Sequence, residues 1–222
     1  MGLAGFGIGL VALAFLPYLM PASTAIVLMT VYTVVFCLVL VIQLRRDVAP
    51  RDVTGLLIGT VVGTPLGVWV LATLPATVLN RVIGLMLVIV VILEFRGLLP
   101  ARLDGRGWAL GAGALAGVIG GAVGTPGPPV VLYMTSQGWG PRVIKANLQL
   151  FFLVNHAVIL AGYWWAGLLT RDVVRLSLSF AAPALLGAVA GVALFSRVDP
   201  VRFRRIVFAL LLVSGLVLLA RG

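Results

Sequence analysis

Long apolar runs alternate with short arginine-bearing gaps along this chain, and that pattern sets out its elements. A helix needs about 20 predominantly apolar residues to cross a bilayer. The runs predict helices near 22–44, 53–74 and 77–99, and again near 143–168, 173–195 and 201–220. Two further stretches are apolar but rich in glycine and proline. One is 2–20. The other is 107–140, which contains "GGAVGTPGPPVVLYM" at 120–134. There the pattern predicts a segment over 107–124 ending in glycines, then a short piece over 126–140 opening on Pro-Gly-Pro-Pro.

The elements recur in order. "RDV" at 51–53 returns at 171–173. "VVGTPLGVWVL" (61–71) matches "ALLGAVAGVAL" (184–194), and "LNRVIGLMLVIVV" (79–91) matches "FRRIVFALLLVSG" (203–215). "STAIVLM" (23–29) lines up with "IKANLQL" (144–150). Shared order and spacing point to duplication. We therefore expect a first transmembrane repeat over 1–100 and a second over 101–222, forming one integral membrane domain. Aligning Gly5 with Gly124 leaves the first repeat short at its front.

Positive charge orients the repeats, because loops on the cytoplasmic side carry the excess of Lys and Arg. Place the 45–51 loop inside and let 107–140 enter and return. Then Arg45, Arg46, Arg51, Arg96, Arg102, Arg106, Arg142, Lys145, Arg197, Arg202, Arg204 and Arg205 all lie inside, 12 of the 16 basic residues. Making 107–140 a single crossing splits the 16 basic residues nine to seven. The first arrangement is preferred, and it inverts one repeat relative to the other, an architecture common among secondary transporters. The expected fold is all-α: a polytopic transmembrane helical protein of two inverted repeats with broken glycine/proline-rich helices.

Composition agrees and removes other classes. Hydrophobic residues make up 62% and charged residues 10%, with a mean hydropathy of +1.20. Such values lie far outside soluble composition. No run of short alternating strands suggests a β-barrel, and the N-terminus lacks the basic start of a cleavable signal peptide. The net charge of +10 raises the question of nucleic acid. The basic residues sit between apolar segments, where they fix topology against an anionic leaflet, so no nucleic-acid partner is expected. With one Cys, one His and six acidic residues, neither a metal site nor a cofactor is expected. The partners expected are a small anionic substrate and membrane lipid, and a homo-oligomer is compatible with the sequence.

In lipid every backbone polar group needs a partner, so broken backbone is tolerated only where it is buried in protein or lines a wet cavity. Proline cannot donate and opposes the preceding turn, whereas it is favoured at the first turn of a helix. "GTPGPP" should therefore end one helix and begin another. The N-terminus of the helix starting near Pro128 would aim N–H groups and a positive dipole end at the break, which suits an anion. Thr125 adds a hydroxyl donor. The alternative is a kinked helix packed through small residues, with no ligand.

The helix over 143–168 carries the second constellation. Successive residues turn about 100°. With Lys145 at zero, Gln149 falls at about 40° and His156 at about 20°, with Asn155 to one side. Polar groups at this depth point to function, and His156 is the candidate for proton coupling. Asn155 and His156 can equally serve as interhelical hydrogen-bonding groups. Lys145 reads as a snorkelling residue, and Trp164 and Trp165 as an aromatic belt.

These residues resemble a known family. "GLAGFGIGLVALAFLPYL" is similar to the glycine-rich opening of the TauE/SafE sulfite exporter family. "AGVIGGAVGTPGPPVVLYMTSQGW" followed by "KANLQLFF" resembles the corresponding motif of its second half. The first cluster, "GFGIGL", departs from the family's run of three glycines. The resemblance implies transport of small sulfur-containing anions (sulfite, sulfonates or sulfoacetate), usually as export, across the inner (cytoplasmic) membrane of a bacterial cell. It implies a site where the two glycine-rich motifs meet: Gly5, Gly7, Gly9 and Pro17 with Gly124, Thr125, Pro126, Gly127 and Pro128. The residue reading adds Asn155 and His156. The expected function is a secondary transporter, not an enzyme, working by alternating access as one repeat rocks against the other. The alternatives are a structural or assembly protein and a membrane-embedded transferase, for which the scattered acids and lone His supply no catalytic pair.

Overall fold

The computed structural model describes residues 12–96, 103, 105–187 and 200–221. Within them every regular element is helical. We number the main helices α1 (Ala22–Leu44), α2 (Pro50–Thr73), α3 (Ala76–Arg96), α4 (Arg106–Val123), α5 (Gly127–Ser136), α6 (Pro141–Trp165), α7 (Arg171–Ser179) and α8 (Pro200–Arg221). Residues 12–15 and 181–187 are also helical, and Leu16–Tyr18 forms a 3₁₀ turn. Proline opens α2 and α6 at the first turn, where its missing N–H costs no helical bond. Ala22–Leu44, Val53–Thr73, Arg106–Val123 and Pro141–Trp165 are long and apolar enough to cross a membrane.

One expected boundary is wrong. The run over 173–195 was expected as one helix, but α7 stops at Ser179, with a turn at Phe180. Pro183 explains this, since it cannot donate to the Ser179 carbonyl and its ring crowds that group.

α2 and α4 are joined by a seam of small residues. A Cβ added to Gly63 would meet the carbonyl carbon of Ala114 at 2.8 Å, and one added to Gly67 would meet the Cα of Gly121 at 2.9 Å. Gly55 faces Ala109, Gly113 faces Leu56 and Gly117 faces Thr60 and Thr64. Partner numbers rise together, so the two helices run parallel. Every fourth residue shares a face, and removing side chains from that face lets the backbones touch.

Two further pairings are antiparallel. Gly84 of α3 meets Gly215 and Leu219 of α8, while Val88 reaches Gly215. The Asp47 carboxylate, just beyond α1, pairs with Arg142 of α6 at 3.2 Å. Next to it the Ala49 N–H donates to Asn147 Oδ1 at 2.9 Å. The end of α1 thus meets the start of α6. The chain also returns after the break: Leu103 donates its N–H to Ser136 Oγ at 3.3 Å and accepts from Gln137 Nε2 at 2.8 Å. The hairpin of α4 and α5 enters and leaves at one end. Arg45, Arg46, Arg51, Arg106, Arg142 and Lys145 are exposed around that end.

Two apolar clusters fill the bundle. One centres on Phe151, Phe152, Tyr133 and Met134 near the arginine-rich end. The other joins Leu13, Ala14 and Ile26 to Ala122, Val123, Ile159 and Tyr163, and to Ile83 and Leu87 of α3. The break lies against this second cluster. Gly121, one turn before it, packs on Gly67 and Val68 in the last third of α2. Gly124 faces Ile26 in the first turns of α1. The break therefore sits toward the end opposite Arg45, Arg46, Arg51, Arg106 and Arg142.

Candidate functional site

α4 stops because Gly124 adopts a left-handed conformation, φ 73°. Its N–H still closes onto the Gly120 carbonyl at 2.8 Å. A residue with a Cβ pays a steric penalty there that glycine does not. Thr125 and Pro126 follow as the connection, and α5 starts at Gly127. Pro128 and Pro129 carry no N–H, so within the first four residues of α5 only Gly127 and Val130 can donate. The expected array of N–H groups is correspondingly thinner, as the sequence itself dictates.

The carbonyl end of α4 is covered by side chains from α6. Tyr163 donates its hydroxyl to the Gly121 carbonyl at 2.7 Å and lies 3.5 Å from that of Gly120. His156 reaches the Gly124 backbone. Its Nδ1 faces the Phe152 carbonyl at 2.8 Å, so in the neutral ring Nδ1 carries the proton and donates. The last carbonyls of a helix have no intrahelical donor, and an unpaired one in a membrane interior is costly. Tyr163 supplies the partner at Gly121, whereas the one proton of the neutral His156 ring is already given to Phe152. The Tyr163 bond also screens the negative dipole end, leaving the positive end of α5 less opposed.

Asn155, fully buried, donates Nδ2 to Thr60 Oγ1 on α2. Its Oδ1 is buried without a partner. That oxygen lies 3.2 Å from where a Gly120 Cβ would stand, beside Pro126. One helix thus brings Asn155, His156 and Tyr163 to the same broken backbone. The Thr125 hydroxyl, 2% exposed, donates to the Met86 sulfur of α3 at 2.8 Å. Pro126 and Gly127 are buried and Pro128 half-buried. Of the two settings that tolerate broken backbone in a membrane, the structure shows the protein-buried one.

The family model for Sulfite exporter TauE/SafE matches residues 1–218. The chain belongs to the sulfite exporter TauE/SafE family. No curated protein and no solved structure gives a match. Membership in the TauE/SafE family implies a membrane transporter of sulfite-like compounds.

Within this TauE/SafE chain the structure gathers Gly124, Thr125, Pro126, Gly127, Pro128, Asn155 and His156 into one neighbourhood. Gly5, Gly7 and Gly9 lie outside the described residues. Pro17 sits half-buried in the 3₁₀ turn, and its neighbours Leu13 and Ala14 share the apolar cluster of Ala122 and Tyr163. The stripe of Lys145, Gln149 and His156 divides by environment. Lys145 is exposed, whereas Gln149 is buried with Oε1 unpartnered. Trp164 and Trp165 are exposed, as a belt requires. Sequence reasoning missed Thr60, Met86 and Tyr163. Tyr163 carried a usable signal, standing seven residues (two turns) after His156 and therefore on nearly the same face. Among the described residues no three His, Cys, Asp or Glu side chains come together.

Proposed function

We propose that this TauE/SafE protein is a secondary transporter for a small sulfur oxyanion or organosulfonate, in the cytoplasmic membrane, with its substrate held at the α4–α5 break. One observation carries the reading: Tyr163 already occupies the carbonyl side of the break, while Thr125 and the N-terminus of α5 supply donors beside it. A break with its Gly121 carbonyl covered and donors beside it favours an anion. The unpartnered end of the Asn155 amide adds a polar contact. Amide oxygen and nitrogen are assigned by partner; a flipped amide would accept from Thr60 and turn its NH₂ toward the break.

Two inverted repeats are part of the same reading. The antiparallel pairing of α1 with α6 and of α3 with α8, each pair drawn from both halves, supports it. Alternating access then has a particular boundary. α2 and α4 belong to different repeats yet share a backbone-close seam, so rocking one whole repeat against the other would tear it. The moving units are the cross-repeat pairs. The test is counterflow of radiolabelled sulfite and small sulfonates in proteoliposomes of the purified protein, with an imposed pH gradient to test coupling through His156. Uptake driven by preloaded anion is expected. Absence of movement for every anion, under every gradient, overturns the proposal.

A further inference from the structure

We infer that Met86 is the lid of the anion site, its thioether standing in for a substrate oxygen on the Thr125 hydroxyl. The inference rests on the transport reading above and deepens it.

Thr30, Thr33, Thr54, Thr64, Thr73 and Thr135 all donate to the carbonyl four residues back in their own helix, at 2.7–3.1 Å. That is the ordinary resting place of a threonine hydroxyl in a membrane helix. Thr125 does otherwise. The carbonyl four residues before it is that of Gly121, which Tyr163 occupies at 2.7 Å. The left-handed turn at Gly124 also carries Thr125 off the helix. Its buried hydroxyl is left with the Met86 sulfur at 2.8 Å, and a thioether is a weak acceptor. A sulfite or sulfonate oxygen is a charged acceptor, and bonds to charged acceptors are about twice as strong. On the Thr125 hydroxyl the oxyanion is therefore the stronger acceptor.

The contact also spans two differently anchored units. Thr125 hangs from α4, which is fused to α2 along the glycine seam. Met86 rides on α3, which is fused to α8 through Gly84 and Gly215. Residues 84 and 86 lie about 200° apart around a helix. One face of α3 thus grips α8 while the opposite face covers the break. Displacing Met86 from Thr125 means moving the α3–α8 pair away from the α2–α4 pair.

A double-mutant cycle in sulfite transport tests this. Met86→Leu conserves volume and removes the competing acceptor, so KM should fall about three- to ten-fold, with kcat changed less than about two-fold. Thr125→Val should raise KM by a similar factor. Adding Met86→Leu to Thr125→Val should move KM less than about two-fold, because no hydroxyl remains to release. A Met86→Leu effect of the same size in both backgrounds, or a rise in KM, makes Met86 packing alone and overturns the inference. Where a sulfonate moves and sulfite does not, the cycle is run on that sulfonate. If the unaltered protein moves none of these anions under any gradient, the transport reading falls and the lid with it. If it moves one but the cycle shows no coupling, the lid alone fails.

Discussion

Replacing Gly63 by alanine plants a methyl 2.8 Å from the carbonyl carbon of Ala114 and 3.0 Å from its Cα. Carbon pairs settle at about 3.5–4.0 Å, so α2 and α4 must part by roughly 1 Å. A radial gap of that size forfeits about a quarter to a half of each dispersion contact. Because the seam runs from Gly55 to Gly67, the loss spreads over several turns. Overpacking of this kind costs roughly 1–3 kcal/mol. The improved helix propensity of alanine offsets about 1 kcal/mol of it. Gly111→Ala on α4 is the control, since a Cβ there meets nothing within 4 Å, and it should stabilise by about 0.5–1 kcal/mol. The helix-propensity gain is common to both variants, so they should differ by the overpacking term, about 1–3 kcal/mol. At this chain length that is roughly 2–12 °C in the midpoint of thermal unfolding in detergent, followed by circular dichroism. A Gly63→Ala midpoint equal to or above that of Gly111→Ala would refute the fused seam, and with it the claim that the repeats cannot rock as separate bodies.

Tyr163→Phe should lower stability by about 1–2 kcal/mol, because the Gly121 carbonyl loses its donor. It should also raise KM for sulfite several-fold, since the Thr125 hydroxyl gains access to that carbonyl; a stable variant with unchanged KM would contradict the capping role. Asn147→Ala should cost about 1–2 kcal/mol in the same unfolding assay, as it strands the partly buried Ala49 N–H. Asp47→Ala should cost less than about 1 kcal/mol, because Arg142 is 80% exposed. The reverse order would mean that the ion pair, not the amide, fastens the α1–α2 loop to α6.

Much of the architecture is legible in the linear pattern, because the bilayer fixes helix length and the cell fixes where arginine sits. The prediction for Ala22–Leu44 matches its observed range. The charge argument for a chain that enters and returns over 107–140 agrees with the Leu103 contacts to Ser136 and Gln137. "GTPGPP" announces a break through its prolines alone. What faces that break is less legible. Gly55, Gly59, Gly63 and Gly67 show a four-residue period, as do Gly113, Gly117 and Gly121, but a period names a face and not its partner. Met86 is a methionine in an apolar run, and nothing local distinguishes it from Met29 or Met134. Its role emerges only when α3 is laid across the end of α4. Tyr163 hides beside two tryptophans that face outward, although it is itself fully buried.

The glycines of this chain do two opposed jobs, and the transport reading depends on their separation. Along α2 and α4 they remove side chains so that backbones lock, which suppresses relative motion. At Gly124 the same residue type lets the backbone turn left-handed and ends the helix, which creates unpaired polar groups that must be covered. The cover is made by hydrogen bonds of unequal strength. On the carbonyl side Tyr163 holds the Gly121 oxygen, and that bond has no reason to break when an anion arrives. On the donor side Thr125 rests on sulfur, the weakest acceptor in its surroundings, borne by the helix pair outside the α2–α4 seam. A substrate that must be bound and later released needs such an asymmetry: a rigid half that keeps the break from collapsing and a weakly held half that yields. Strengthening the donor-side contact should therefore slow transport, whereas strengthening the carbonyl side should chiefly raise stability.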